Sequence, residues 1–242
     1  MSVLKLRNVL FDTHPIVVHA HGPHQTKMQW PQVRDAFFAS EPRTLGAAPG
    51  LTLITCNNGH EAMGLLERSL DHLGLPYLVG GVGVDPWVNS RDKPRVILDL
   101  LARVETRHVL YADSRDAILV DDPRIGLERF RQMSSCRLLF GADRLNWPNV
   151  KVFKQFEESL DGSDNAGKFR YLNGGVWLGE REFSLRFFER ALATTPVPEA
   201  ADSEQGLLKK LFPSFYPDVQ LDYRCRIIQN LGFVTSPIME LA

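Results

Sequence analysis

The sequence of 242 residues is poor in cysteine and carries almost no excess charge. Its three cysteines, Cys56, Cys136 and Cys225, lie far apart, which fits neither a disulfide framework nor the paired spacing of a structural zinc site. We therefore expect a reducing compartment and predict a cytoplasmic protein. The 28 basic and 29 acidic residues give a formal net charge of −1. This balance disfavours a surface that binds a nucleic-acid backbone through many phosphate contacts.

Long apolar runs and repeats are also missing. No stretch approaches about 18 consecutive apolar residues, so we expect no membrane span. Charged residues interrupt the apolar ones over residues 1–12, unlike the continuous apolar segment of a signal peptide. No repeat with the period of a solenoid occurs. The chain is expected to be soluble and globular, with a length that suits one domain or two small ones.

Short β-rich runs alternate with helical patterns, which indicates an α/β domain with a mainly parallel sheet. The expected strands are residues 15–18, 51–55, 109–112, 138–140, 176–178 and 225–228. Apolar residues at three- and four-residue spacing predict helices at 61–73, 93–104, 125–133, 184–192 and 203–211. Residues 39–50 are the best linker candidate. Residues 161–168 are dense in turn-forming residues and are expected to form a mobile loop.

The strongest local signal is an expected strand that ends in two carboxylates. Asp113 and Asp116 follow residues 109–112, and ligands gather at the carboxyl ends of strands in open α/β sheets. Two such carboxylates can converge on a hard divalent cation, Mg²⁺ or Mn²⁺, which in turn binds phosphate oxygens. Alternatively, both carboxylates cap the backbone of a turn. Spacing alone does not separate these two interpretations.

Three of the seven histidines, His19, His21 and His24, follow the first expected strand. An imidazole at a strand end can complete a carboxylate metal site. Of His19 and His21, we expect only one to be a natural ligand. The other interpretation is a polar turn with half-exposed histidines.

Two further stretches combine polar residues with small or aromatic ones. Asn173 precedes two glycines, which either let a ligand or another backbone approach closely or form a β-bulge or tight turn. Trp147 is a candidate for stacking on a sugar or base, and equally a packing residue. Either Asp202 or Ser203 is expected to cap the helix that follows.

Together these stretches resemble the glycosyltransferase domain of the procollagen lysyl hydroxylases, a GT-A type domain that uses a nucleotide sugar and Mn²⁺. The segments that carry the resemblance are YADSRD at 111–116, WP at 147–148, YLNGG at 171–175, DSEQGLL at 202–208, LDYRCRIIQNL at 221–231 and RNVLFDTHPIVVHAHGP at 7–23. The resemblance implies a single GT-A-like, Rossmann-like α/β domain over residues 1–242, with a mainly parallel sheet flanked by helices.

The order of these segments differs from the order in the family. There, the segment that resembles residues 7–30 comes last, directly after the part that resembles residues 221–241. The chain therefore looks circularly permuted, and residues 236–242 are expected to lie beside residues 1–6. The implied division is residues 1–38 as the displaced segment that supplies a metal ligand and closes on the phosphates, 39–50 as the new connection, and 51–242 as the nucleotide-sugar and acceptor portions.

Carried over residue by residue, the family pattern makes Asp113 and Asp116 the metal-binding pair and His19 the third protein ligand. It places Asp202 and Glu204 in an acidic run that faces the transferred sugar, as catalytic candidates. The candidates for donor binding are Thr55, Cys56, Asn57, Lys93, Asp113, Arg115, His21, Gly22, Lys27, Trp147 and Asn173.

The activity implied by the resemblance is transfer of a hexose, with retention of configuration, from a nucleotide sugar to an acceptor hydroxyl. A UDP-sugar is the expected donor and Mn²⁺ or Mg²⁺ the cofactor. The cation would stabilise charge on the leaving nucleoside diphosphate, while Asp202 or Glu204 steadies the sugar hydroxyls or its positive charge. The acceptor, whether a small molecule, a peptide or a glycan, is not identified.

Three departures from the family pattern leave other donors open. Arg115 stands where the family carries an aromatic residue, His21 replaces an asparagine, and Ser203 interrupts a shortened acidic run. The alternatives are a transferase that uses a GDP-sugar and a non-catalytic module that binds a nucleotide sugar. A nucleotidyltransferase is less favoured, because no glycine-rich basic loop follows residues 51–55. A collagen substrate does not follow from the resemblance, since no hydroxylase domain is present in this sequence.

Overall fold

Eleven strands and seven α-helices lie within residues 5–23, 27–59, 61–160 and 169–241, the part of the chain described by this computed structural model. The strands are β1 Leu6–Asn8, β2 Val17–His19, β3 Leu51–Cys56, β4 Tyr77–Gly80, β5 His108–Ala112, β6 Ala117–Leu119, β7 Leu138–Asp143, β8 Tyr171–Glu180, β9 Val219–Asp222, β10 Ile228–Asn230 and β11 Met239–Leu241. The helices are α1 Trp30–Ala39, α2 Leu65–His72, α3 Asn89–Arg103, α4 Pro123–Arg131, α5 Lys151–Glu158, α6 Arg181–Leu192 and α7 Glu204–Phe215. The loop expected at residues 161–168 and His24 fall outside these described residues.

The central sheet has six strands in the order β4-β3-β5-β8-β7-β9. Strand β8 is antiparallel to both of its neighbours, and the other pairs are parallel. All five residues of β5 are buried, as expected for a strand covered on both faces. Helix α3 packs against α6 and α7. The predicted α/β class with a mainly parallel sheet and flanking helices is confirmed.

The chain order brings the first and last described segments together. In a second sheet, β2 lies between β10 and β6, parallel to the former and antiparallel to the latter. Strand β1 pairs with β11 in antiparallel register, with Leu6 opposite Leu241. This agrees with the expectation that the two ends of the sequence lie side by side, as far as the described residues reach.

Residues 40–48, within the predicted linker, contain no regular secondary structure but are held in place. The backbone N–H groups of Arg43 and Leu45 donate to the carbonyl oxygens of His72 and Leu73, at the end of α2. The Arg43 guanidinium also lies 3.1 Å from the Asp121 carboxylate. The connection therefore lies along the end of α2, and its backbone is fixed by hydrogen bonds.

Several elements were not expected from the sequence pattern. Helices α1 and α5, strand β4 and the short strands β1, β6, β9 and β11 are examples. All of these strands have only three or four residues, too few for an alternating pattern to be recognised. Every helix in the described ranges is too short or too polar to cross a bilayer.

Candidate functional site

A cleft of about 1020 Å³ opens beside the carboxyl ends of β3 and β5. This position agrees with the rule that ligands bind outside the carboxyl ends of strands in open α/β sheets. Predicted site residues that line the cleft are His19, His21, Gly22, Cys56, Lys93, Asp113, Arg115, Asp116, Trp147, Asn173, Asp202 and Glu204. The tertiary structure therefore assembles most of the candidates in one place.

Thr55, Asn57 and Lys27 are the predicted residues that do not line this cleft. The Thr55 side chain is fully buried, and its hydroxyl donates to the carbonyl oxygen of Ala112 at 2.7 Å. The Asn57 amide is buried and donates to Glu67 Oε1 at 2.9 Å. Both side chains are therefore used inside the wall of the cleft, and the expectation that residues 55–57 hold the nucleoside stays a prediction. Lys27 Nζ lies 3.7 Å from Asp116 Oδ2.

The three predicted metal ligands meet at one end of the cleft. One ligand atom from each of His19, Asp113 and Asp116 lies within 4.8 Å of the others. His19 Nε2 is 3.3 Å from Asp116 Oδ1 and 3.8 Å from Asp113 Oδ2. This proximity arises because β2 pairs with β6 and places His19 opposite Ala117, directly after Asp116. Carboxylate oxygens suit Mn²⁺ or Mg²⁺, and an imidazole nitrogen suits a transition-metal ion, so of these two cations the donor set fits Mn²⁺ better.

A hydrogen bond on the side of the ring opposite the carboxylates sets the orientation of His19. Its Nδ1 atom lies 2.8 Å from Asn230 Oδ1, while Asn230 Nδ2 donates to the carbonyl oxygen of Ala142. This arrangement makes Nδ1 the donor and leaves the Nε2 lone pair facing the carboxylates. His19 is 2 % exposed, and Nε2 has no hydrogen-bond partner among the described residues.

The electrostatics of this cluster favour a positive charge at Nε2. Burial lowers the pKa of His19, but the carboxylates of Asp116 and Asp113 outweigh burial and raise it overall. Burial raises the pKa of Asp116, but the charge of His19, together with that of Lys27, outweighs burial and lowers the pKa overall. Either a proton on Nε2 or a metal cation can supply the positive charge that the two carboxylates favour. The residues present therefore fit a divalent cation.

Gly175 is required for the close approach of His19 to the middle of β8. On the β7 side, Phe140 lies opposite Trp177 and the next residue, Gly141, lies opposite Asn173, so β8 bulges at its glycine pair. A Cβ atom at Gly175 would collide with the His19 ring and lie 2.9 Å from Asp113 Oδ2. The bulge interpretation is therefore confirmed, and the group that approaches Gly175 closely is the His19 side chain, not a ligand or another backbone.

Lys93 links the metal cluster to helix α7. Its buried Nζ atom lies 2.7 Å from Asp113 Oδ1 and 2.5 Å from Glu204 Oε1. Burial lowers the pKa of Lys93, but the two carboxylates outweigh it and raise the pKa well above its usual value. Lys93 therefore stays charged and neutralises part of the acidic wall. The hydroxyl of Tyr111 also donates to Asp113 Oδ1, at 2.7 Å.

The two catalytic candidates have different environments. Glu204 is buried in its ion pair with Lys93, whereas Asp202 is exposed on the cleft wall. The helix cap between them is Ser203, whose hydroxyl accepts from the backbone N–H of Gln205. Asp202 is thus the more accessible carboxylate for a ligand in the cleft.

His21 is not part of the metal cluster. Strand β2 ends at His19, so strand alternation does not continue, and the two rings lie side by side with centroids 5.3 Å apart. His21 Nε2 lies 2.8 Å from Asp143 Oδ2, which also accepts from Asn173 Nδ2 at 3.1 Å. Burial raises the pKa of Asp143, but His21 and the hydrogen bonds outweigh it and lower the pKa.

Gln205 joins two walls of the cleft. Its Oε1 atom accepts from the backbone N–H of Gly174, and its Nε2 atom donates to the carbonyl oxygen of Trp147. Trp147 is 45 % exposed on the cleft, so its ring is available for stacking.

The residues that the sequence interpretation missed are mainly those that orient others. Asp143 follows the predictive rule used for Asp113, since it ends a buried strand. Asn230, Tyr111 and Gln205 lie in the resembling segments but without an evident role. No motif in the sequence indicated that Glu67 belongs to the site.

Comparison with known proteins identifies the family. The family described as PLOD GT domain matches residues 91–240, more than half of the chain. The chain belongs to this family. It is therefore a glycosyltransferase-family domain, as the resemblance predicted, and the transferase class of enzyme is confirmed.

Curated relatives are much longer than this chain. Procollagen-lysine,2-oxoglutarate 5-dioxygenase 1 from Homo sapiens is 29% identical over 127 residues, which is 51% of this chain and 16% of that protein. Multifunctional procollagen lysine hydroxylase and glycosyltransferase LH3 from Homo sapiens is 27% identical over 162 residues, 64% of this chain and 19% of that protein. The chain spans less than a fifth of the length of these relatives.

Solved structures of glucosyl-3-phosphoglycerate synthase from Mycobacterium tuberculosis also align with this chain. The complex with uridine diphosphate is 15% identical with a TM-score of 0.42, and the alignment covers 92% of this chain and 80% of that chain. A second structure of the synthase is 13% identical with a TM-score of 0.43, covering 91% and 81%. Scores of this size are too low to transfer ligands or activity.

Proposed function

We propose that this GT domain is a metal-dependent glycosyltransferase that moves a hexose from a UDP-sugar to an acceptor hydroxyl, with retention of configuration. The observation that carries the proposal is the convergence of His19, Asp113 and Asp116. The Nε2 atom of His19, which has no hydrogen-bond partner in the described part of the chain, faces both carboxylates. The family membership supports the transferase class. The UDP preference, the hexose and the retention follow the family resemblance.

A divalent cation, Mn²⁺ or Mg²⁺, would be held by His19, Asp113 and Asp116 and would supply Lewis-acid stabilisation of the leaving diphosphate. The other side chains hold this arrangement in place. Lys93 and the Tyr111 hydroxyl anchor Asp113 Oδ1, which leaves Oδ2 on the side of His19. Asn230 orients the His19 ring through its contact with Nδ1.

Donor and sugar would occupy the rest of the cleft. Arg115 is exposed on the cleft wall and would stack on the base through its guanidinium plane. Asp202 is exposed on the same cleft and would contact the sugar hydroxyls or its developing positive charge. Trp147 is placed to stack on a sugar ring. The acceptor is not specified by these contacts.

The test combines ligand-induced stabilisation with donor turnover. We expect Mn²⁺ and UDP together to raise the melting temperature, since a ligand at about 100 times its Kd stabilises the folded state by about 2.7 kcal/mol. Asp113→Asn should remove most of this gain. Asp35→Asn, the same change on an exposed carboxylate of α1, should retain it.

A screen of UDP- and GDP-sugars for donor hydrolysis in the presence of Mn²⁺ then separates the alternatives. Hydrolysis of UDP-sugars supports the proposal. Activity with GDP-sugars alone would contradict the UDP preference, and binding without hydrolysis or transfer would indicate a non-catalytic module. No stabilisation by any nucleotide would contradict the proposed function as a whole.

We also propose that the domain is a circularly permuted member of its family and acts in the cytoplasm. The pairing of β1 with β11, with Leu6 opposite Leu241, supports a chain whose displaced segment once followed residue 241. The cytoplasmic location is supported by the free state of Cys56, Cys136 and Cys225.

A further inference from the structure

Glu67, in the first turn of α2, is a buried carboxylate behind the metal cluster. It is 3 % exposed, and its two oxygens accept from the Ser114 hydroxyl at 2.7 and 2.8 Å. Ser114 directly follows Asp113, so Glu67 holds the loop that carries both metal-ligand carboxylates. Oε1 of Glu67 also accepts from Asn57 Nδ2 at 2.9 Å.

The start of α2 is fitted closely to this loop. The backbone N–H of Leu66 donates to the carbonyl oxygen of Ser114 at 3.0 Å. A Cβ atom at Gly64 would collide with Ser114 and would lie 2.8 Å from Glu67 Oε2. Ser114 and the start of α2 therefore fit closely, so a shift of one requires a shift of the other.

Asn57 connects Glu67 to the end of β3, which it directly follows. Cys56 and Asn58, on either side of Asn57, line the cleft. The Asn57 side chain shapes the backbone that follows, because its Oδ1 atom accepts from Gly59 N–H and its Nδ2 atom donates to the Glu61 carbonyl oxygen. One buried carboxylate thus connects the Asp113–Asp116 loop with the segment at the end of β3.

We propose that Glu67 is a positioning residue that couples cation binding at His19, Asp113 and Asp116 to nucleotide binding at the end of β3. The inference rests on the proposed function, because it assumes that the cation and nucleotide share the cleft. A cation held by Asp113 and Asp116 would displace Ser114 if it drew the two carboxylates together, and the hydrogen bonds of Glu67 would pass this shift to Asn57. The coupling is reciprocal, so UDP must tighten cation binding by the factor by which the cation tightens UDP binding.

A merely stabilising role for Glu67 makes a different prediction. In that case, its loss lowers the melting temperature but leaves the ratio of UDP affinities with and without cation unchanged. The ratio is therefore the discriminating measurement, and it does not depend on catalytic activity.

The experiment measures the Kd of Mn²⁺ alone, of UDP alone and of UDP at saturating Mn²⁺ by titration calorimetry, well below the melting temperature. Glu67→Ala and Ser114→Ala should each weaken Mn²⁺ binding about tenfold, as loss of a group that orients metal ligands does. In both variants, the ratio of the UDP affinities with and without Mn²⁺ should be close to 1. Their effects should not add in the double variant, because they break one contact.

Two further variants control for folding and charge. Glu67→Gln should retain much of the ratio, because its amide can accept from Asn57 and donate to Ser114. Glu128→Ala, at an exposed position of α4, should behave as the wild type. If Glu67→Ala does not fold, Ser114→Ala, which removes one hydroxyl, answers the question.

An unchanged UDP ratio in folded Ser114→Ala or Glu67→Ala would overturn this inference while leaving the proposed function intact. A wild-type protein that binds neither Mn²⁺ nor UDP would instead overturn the proposed function, and with it the coupling.

Discussion

The Nδ1 atom of His19 lies 2.8 Å from Oδ1 of Asn230, and this contact directs the opposite ring nitrogen toward Asp113 and Asp116. The two residues are 211 positions apart in the sequence. Asn230 is itself fixed by its hydrogen bond to the Ala142 carbonyl oxygen. The metal cluster thus depends on a side chain that contacts none of the reacting groups.

We expect Asn230→Ala to weaken Mn²⁺ binding by roughly 10- to 100-fold, because residues that orient a metal-ligating histidine have effects of this size. The change also leaves a buried carbonyl oxygen without its partner, so the melting temperature should fall. Calorimetric titration with Mn²⁺ checks the prediction. Asn149→Ala, at an exposed position, is the matched control. Equal Mn²⁺ affinity in Asn230→Ala and the wild type would show that Asn230 does not orient the ligand.

Gly175→Ala should disrupt the metal cluster, since the added Cβ would collide with the His19 ring. We expect a loss of about 1–3 kcal/mol in the free energy of unfolding, as for other overpacked sites. Gly174→Ala is the control, because its Cβ would collide with the flexible end of the Leu208 side chain at 2.6 Å and would lie at ordinary contact distance, 3.6 Å, from Glu204 Oε1. Thermal melts with and without Mn²⁺ should show metal-dependent stabilisation in Gly174→Ala and little in Gly175→Ala. Comparable stabilisation of both variants would contradict the proposed role of Gly175.

His108 should make the metal-free protein less stable in acid. Burial, followed by the charge of Arg131, lowers the pKa of His108 in the folded state. Below the unfolded-state pKa of about 6.5, the unfolded chain binds the proton more readily, so stability falls as the pH decreases. Above that pH the imidazole is neutral in both states and this contribution to stability is fully present.

The variant that tests this dependence is His108→Phe, which keeps an aromatic ring against Phe130 but cannot titrate. Its melting temperature should fall less than that of the wild type between about pH 7.5 and 5.5, measured in the presence of a chelator. His72, whose pKa is lowered chiefly by burial, is present in both proteins and cancels in the comparison. Parallel pH profiles would rule out a contribution from His108.

Restoring the family order should yield a folded domain. Because Leu6 and Leu241 are antiparallel partners, a short hairpin-like linker can join residue 241 to residue 5. A new chain start at Pro42 keeps the hydrogen bonds of Arg43 and Leu45 to α2. We expect the rearranged chain to unfold cooperatively and to respond to Mn²⁺ and UDP as the original does. A rearranged chain that does not fold would contradict the proposed permutation.

Local sequence determined the scaffold of this protein well. The expected strands at 51–55, 109–112 and 138–140 lie within β3, β5 and β7, because a short, largely apolar run between turn residues is typical of a buried strand. The pair Asp113 and Asp116 was also found locally, since both residues follow a single strand. Short edge elements such as β4 carry too little pattern to be predicted.

The choice between competing interpretations required the tertiary structure. That His19 meets the carboxylates and His21 does not follows from where β2 ends and from its pairing with β6. The burial of Glu204 against Lys93, 111 positions away, and the inward turn of Asn57 toward Glu67 also depend on packing. Residue type and spacing determine which groups can bind a cation or a sugar. Only the folded chain decides which of them face the cleft, because contacts between distant segments set burial, orientation and charge.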